Sequence, residues 1–141
     1  MKNLFNRIAS IGANASDDEE MRLKKSLLVI CAFPFMFAGM AWGLMYMAFG
    51  ETLAGWIPMS YVVFSMFSVI YFGISRKFGV FRFSQLLLIL LLPCALMTAL
   101  GGLVNGSAVI LWSLICPLGA MLFDKPGRAV WWFAAFACLI I

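Results

Sequence analysis

Apolar positions gather into five runs, at about residues 26–49, 53–74, 83–101, 108–123 and 129–141, and most of the polar positions fall between or before them. The third and fourth runs organise the rest. From Phe83 to Phe123 there is no Asp, Glu, Lys, Arg or His, and the only interruption is the turn-forming stretch Gly101, Gly102, Leu103, Val104, Asn105, Gly106, Ser107. Glycine and asparagine tolerate turn geometry, and each arm has the length of a membrane-crossing helix at about 1.5 Å of rise per residue. The pattern predicts an all-α, polytopic transmembrane helical bundle with four complete spans and an incomplete fifth. An N-terminal cytoplasmic segment, residues 1–25, precedes the transmembrane domain at 26–141.

In that segment Leu4, Phe5, Ile8 and Ile11 fall at helical spacing, with Lys2 and Arg7 elsewhere around the turn. Two readings stay open, a short amphipathic helix on the membrane surface and a frayed terminus. A secretory signal is disfavoured, because the first apolar run starts late and lies behind acidic residues. Ser16, Asp17, Asp18 and Glu19 have the capping-box arrangement, which predicts a helix start with Ser16 as cap. Asp18 with Arg22, and Glu20 with Lys24, stand four apart for ion pairing.

Inside the runs, Pro34, Pro93 and Pro117 are candidate helix kinks, since proline removes a backbone donor and crowds the preceding turn. Pro58 is a candidate helix starter. Gly39 and Gly43, one turn apart, are the candidate helix-packing pair, available to a second copy, to a helix of the same chain or to lipid. Ser60, Ser65 and Ser68 fit packing between helices. Residues 75–82 are expected to form a basic loop, and Asp124 to Arg128 a tight polar turn.

Charge fixes an expected orientation. With the N-terminus inside, the inner segments hold Lys2, Arg7, Arg22, Lys24, Lys25, Arg76, Lys77, Arg82, Lys125 and Arg128, all 10 basic residues, and the outer loops hold none. That bias predicts a cytoplasmic N-terminus. The composition agrees: 65% of residues are hydrophobic, 11% are charged and mean hydropathy is +1.03, which disfavours a soluble domain. The formal charge of +4 follows from the membrane asymmetry and implies no nucleic-acid partner. At 129–141 only thirteen residues remain, about 20 Å of helix, so the fifth span is expected to be cut short in a longer protein.

Candidate chemistry is sparse. The predicted spans hold no ionisable acid, base or histidine, which disfavours a proton relay or an ion-coupled carrier. Cys31, Cys94, Cys116 and Cys138 lack paired spacing and are read as packed free thiols, so neither a metal nor a cofactor is expected in this chain. Gln85, Thr98, Asn105, Ser107 and Ser113 would line a pathway in a small transporter or channel, or else satisfy helix contacts. Met36, Met40, Met45, Met47, Met59, Met66 and Met97 fit apolar filler better than a ligand surface. No phosphate loop, nucleophile motif or paired-carboxylate site is present, so no catalytic residue is assigned.

The order RLKKSLLVI, AGMAWGLMYMAFGETLAGWIP and FRFSQLLLILLLPCALMTALGGLVNGSAVILWSLICPLGAMLF resembles the N-terminal six-helix membrane region of a group of bacterial class III adenylate/guanylate cyclases, over residues 22–123. The resemblance implies a multi-pass protein of the bacterial cytoplasmic membrane. It also implies a homodimer formed through the parent protein, and a downstream cytoplasmic domain that makes a cyclic nucleotide from a nucleoside triphosphate with divalent metal. No catalytic or metal-binding residue carries over to a position here. The expected role is membrane anchoring with a candidate sensory and dimerisation function. The alternatives are a small transporter or channel, or a structural subunit of a membrane complex.

Overall fold

The computed structural model describes residues 11–12, 17–106, 108–124 and 126–140. The expected surface helix at Leu4, Phe5 and Ile8, the Ser16 cap, and the Ser107 and Lys125 positions lie outside them. Among the described residues every regular element is helical: α1 (Glu19–Ala48), α2 (Thr52–Ser75), α3 (Phe78–Ala99), a 3-10 helix (Val109–Leu114), α4 (Ile115–Phe123) and α5 (Pro126–Ile140). Consecutive elements pack on one another, so the chain folds as an up-and-down series.

The first three helices have 30, 24 and 22 residues, or about 45, 36 and 33 Å of rise, enough to span a hydrocarbon core of about 30 Å. α1 starts where the acidic run predicts a start, but the cap is Asp18, whose Oδ1 accepts from the Glu19 amide at 2.9 Å. Glu19 and Glu20 then occupy the first turn, favourable for the helix dipole. The Lys24 ammonium, 2.6 Å from Glu20 Oε1, holds that carboxyl below its ordinary value, first by hydrogen bonding and then by charge.

Both turns on the far side close by one device. After α1, Gly50 adopts φ +87°, its N–H donates to Met47 O at 3.1 Å, and the Glu51 N–H donates to Tyr46 O at 3.0 Å. After α3, Gly101 adopts φ +88°, its N–H donates to Thr98 O at 3.2 Å, and the Gly102 N–H donates to Met97 O at 2.9 Å. These are Schellman closures, in which a left-handed glycine lets the following amides satisfy the last helical carbonyls. A side chain at either glycine would meet the steric cost of that backbone region.

Three expectations change. The basic loop at 75–82 shrinks to the junction at Arg76 and Lys77, because α3 begins at Phe78 and takes in Arg82. α2 begins at Thr52, so Pro58 lies within it rather than starting it. The fourth run is not a uniform span: six 3-10 residues at about 2.0 Å and nine α residues at about 1.5 Å give roughly 25 Å, short of a hydrocarbon core. Pro117 is the third residue of α4, in the first turn, where a missing N–H costs little; it marks the change from 3-10 to α rather than a bend within one helix. The helices α1 and α3 continue through Pro34 and Pro93. α5 gains residues at its start, with Pro126 in the first helical position, where its fixed φ suits the turn.

Gly39 and Gly43 face α2 of the same chain. A Cβ at Gly43 would lie 2.9 Å from Gly55 O and 2.7 Å from Met59 Cγ, and one at Gly55 would lie 2.8 Å from Gly43 O. Gly39 is looser, 3.2 Å from Pro58 O. The two backbones therefore meet at Gly43 and Gly55, and this face is occupied within the chain. Two apolar cores complete the packing. One, around Phe72, Phe78, Phe81 and Phe123, stacks Phe72 on Phe81 with ring centres 4.7 Å apart; the other joins Leu86 and Leu90 of α3 to Cys116, Ala120 and Phe136.

Gly43→Ala should force α1 and α2 apart and cost about 1–3 kcal/mol, as overpacked cores do, whereas Gly39→Ala, whose Cβ would lie 3.2 Å from Pro58 O, should cost less. Thermal unfolding of the two variants in detergent checks the contrast, and equal effects would contradict the close approach at Gly43.

Candidate functional site

Polar side chains inside an apolar bundle are where chemistry would have to reside, since each buried polar atom needs a partner. The largest such group lies between α2 and α3. Gln85, 1% exposed, accepts through Oε1 from Ser65 Oγ at 3.2 Å and from the Tyr61 hydroxyl at 3.5 Å. Ser68 and Ser84 hydroxyls bond to each other nearer the Arg76–Lys77 junction, and Ser84 also donates to Phe81 O at 2.8 Å. Gln85 Nε2 is buried without a hydrogen-bond partner among the described residues. The seam holds α2 to α3 and offers one amide group beyond that duty.

The residues expected to line a pathway do not converge. Thr98 Oγ1 donates to Ala95 O at 2.7 Å, a bond within its own helix. Asn105 Nδ2 donates to Gly101 O at 3.4 Å within the loop. Ser113 Oγ, fully buried, donates to Leu90 O at 2.8 Å and ties the 3-10 helix to α3. Gln85 alone joins a buried side-chain network, so these groups do not form a continuous route. Ser60 bonds back to Ile57 O at 2.6 Å. The methionines are dispersed: Met36 is in the core, Met59 and Met47 pack against the glycines, and Met40, Met45 and Met66 face outward.

An apolar cleft of about 200 Å³ opens between α1, α2, α3 and the 3-10 helix. Gly39, Trp42, Pro58, Tyr61, Pro93 and Trp112 line it, so two positions singled out by sequence, Gly39 and Pro93, share a wall. Pro34 is exposed and lies outside it. Cys31 and Cys138 are exposed, Cys116 is buried, and all four thiols are free. Among the described residues no group of three or more His, Cys, Asp or Glu side chains is placed to hold a metal.

The ionic contacts at the other end were missed by sequence reading. Lys25 Nζ, 4% exposed as a residue, sits 2.7 Å from both Asp17 carboxylate oxygens and 3.3 Å from Gly12 O. Gly12, at φ +73°, is pressed against the Phe72 ring. Arg82 Nη2 lies 3.1 Å from Asp124 Oδ1, Arg82 Nη1 donates to Phe123 O at 3.1 Å, and its guanidinium stands 5.6 Å from the Phe78 ring centre. Arg128 Nη1 approaches the same Asp124 oxygen at 4.0 Å. Arg82 and Asp124 are the two charges that bound the charge-free stretch, and folding that stretch back on itself brings them together.

Comparison with family models, with curated proteins and with solved structures gives no match to this chain.

Arg82→Gln should destabilise the fold by about 1–3 kcal/mol, because it breaks a charge-assisted contact to a largely buried carboxylate. Adding Asp124→Asn should recover most of that loss. Unfolding midpoints of the single and double variants check it; an additive double variant would remove the pair from the account.

Proposed function

We propose that the chain is a membrane-embedded helical module that anchors and positions a cytoplasmic output domain. The observation that supports this is the outward face of the three long helices. Fewer than a third of the residues in each apolar window are buried inside the bundle, and side chains such as Phe37, Leu44, Phe64, Phe67 and Ile74 point away from it. Soluble proteins rarely leave so much contiguous apolar surface in water, whereas lipid would cover it without cost. The gathering of every lysine and arginine in the N-terminal segment, at the Arg76–Lys77 junction, around the Asp124 turn and in the first turns of the helices that follow them supports a cytoplasmic N-terminus, and the resemblance supports a bacterial inner membrane.

The output domain is proposed from the resemblance over residues 22–123: a class III nucleotide cyclase acting as a homodimer. In this reading the helices set the distance and orientation of two cytoplasmic domains, and a signal acts by favouring one packing over another. Because Gly39 and Gly43 are engaged by α2, self-association would use an outward apolar face instead.

Two measurements test these steps separately. In a variant with all native cysteines replaced by alanine, a cysteine at Glu51 or Asn105 should react with a membrane-impermeant maleimide in intact cells, and one at Lys77 should react only after permeabilisation. The opposite pattern would reverse the orientation. For the output, the coding frame read past Ile141 should continue through another span into a domain with paired metal-binding aspartates. A stop codon there would remove the cyclase and the anchoring role with it, and would turn the reading to a small transporter or a structural subunit of a membrane complex.

A further inference from the structure

At the inner end, the starts of α3 and α5 flank a cleft that the helix packing does not fill. Its floor is the Arg82–Asp124 pair; Phe83 and Trp132, with ring centres 5.5 Å apart, form one wall; Gly79, Arg128 and Trp131 form the rim. The chemistry changes with depth. Arg82 is engaged by Asp124 and by Phe123 O, and its side chain is 15% exposed. Arg128 is 66% exposed and reaches Asp124 only at 4.0 Å. These two guanidinium groups and one carboxylate sum to +1, and the surplus charge sits on Arg128 at the mouth. Next to it Trp131, 77% exposed, presents an indole N–H and an apolar ring. Apart from its chain neighbours and the backbone of its own helix, nothing comes within 4 Å of the position a Cβ would take on Gly79, so the rim is open on that side.

We propose that this cleft binds the phosphate headgroup of an anionic glycerophospholipid of the inner leaflet. The inference rests on the membrane reading above. A phosphodiester brings a second negative charge to Arg128, whose contact with Asp124 is long, and guanidinium N–H groups donate to its oxygens in charge-assisted bonds. Trp131 matches the interfacial depth, with its N–H among headgroups and its ring toward the acyl region. The exposed faces of Phe83 and Trp131 then give the first methylenes an apolar path toward the bilayer interior. Water-soluble anions match only the first of these features. A basic, tryptophan-flanked pocket between helices on the positively biased side is where an anionic headgroup is favoured over a zwitterionic one.

The test uses the full chain reconstituted in vesicles of equal parts phosphatidylglycerol and phosphatidylcholine. The protein is extracted in mild detergent, and the retained lipid is counted by mass spectrometry. The wild-type chain should retain phosphatidylglycerol in roughly tenfold preference, the factor that one lost charge-assisted bond removes. Arg128→Gln should bring the ratio close to one, and Trp131→Leu should lower it in part, while Lys77→Gln, an equal charge change elsewhere on the same side, should leave it alone. A preference that survives Arg128→Gln, or that falls equally in Lys77→Gln, would overturn the site in favour of general surface attraction. Inorganic phosphate that stabilises the protein in pure phosphatidylcholine through Arg128 would overturn the lipid as its source. A chain that fails to integrate into the vesicles would overturn the membrane reading and the site together; one that integrates without preference would overturn the site alone.

Discussion

Every backbone amide and carbonyl in an apolar environment needs a partner within the chain, and most of this architecture follows from where that requirement is hardest to meet. Along α1, α2 and α3 the helical ladder meets it. At the turns after α1 and α3 there are no ladders and no charged side chains except Glu51, and left-handed glycines at Gly50 and Gly101 close the last carbonyls with backbone amides. At the opposite end the solution changes. Arg82 donates to the terminal carbonyl of α4 while pairing with Asp124, and Lys25 joins the Asp17 carboxylate and the Gly12 carbonyl. The two ends are thus sealed by different chemistry, backbone on one side and ions on the other.

Much of the helical layout was legible because it depends on local pattern. Apolar runs, turn glycines and the acidic start of α1 are features of a few adjacent residues, and the helices fall where they predict. The ends moved where a distant partner decides. Arg82 looks like a loop residue beside an apolar run; in the fold Asp124, forty-two positions later, gives its charge a partner, so the helix extends back to Phe78. The broken fourth run follows similar logic. Ser113 turns its hydroxyl to Leu90 of α3, the residues before Ile115 take 3-10 geometry that covers more distance per residue, and Pro117 stands in the first turn of the α-helix that follows. Opposite charges bounding a long neutral hairpin were the available signal for the Arg82–Asp124 contact.

The candidate site was less legible than the fold. Sequence alone marks Gln85, Thr98, Asn105 and Ser113 as unusual in apolar surroundings, but only their positions around each helix decide whether they meet. Two of them bond within their own segment, one ties the 3-10 helix to α3, and Gln85 faces Ser65 and Tyr61. A glycine pair one turn apart likewise carries no label for its partner. Here the reciprocal glycine, Gly55, lies in the next helix, twelve residues beyond Gly43. Function is hardest to read because the polar side chains that the sequence marks do not meet in one site among the described residues.

The closeness of Gly43 to Gly55 also bears on how the protein is made. The contact joins neighbours separated by one short turn, and each later element packs mainly on elements that precede it in the chain. A chain emerging N-terminus first therefore finds the partner for each new helix already present, with little loop to close. α1 and α2 can dock as a finished hairpin before α3 exists, and that hairpin then offers the Tyr61 and Ser65 hydroxyls to the incoming Gln85. Biogenesis and architecture run in the same order, so the Gln85 carbonyl oxygen, costly if left alone in an apolar setting, arrives where its two donors are waiting.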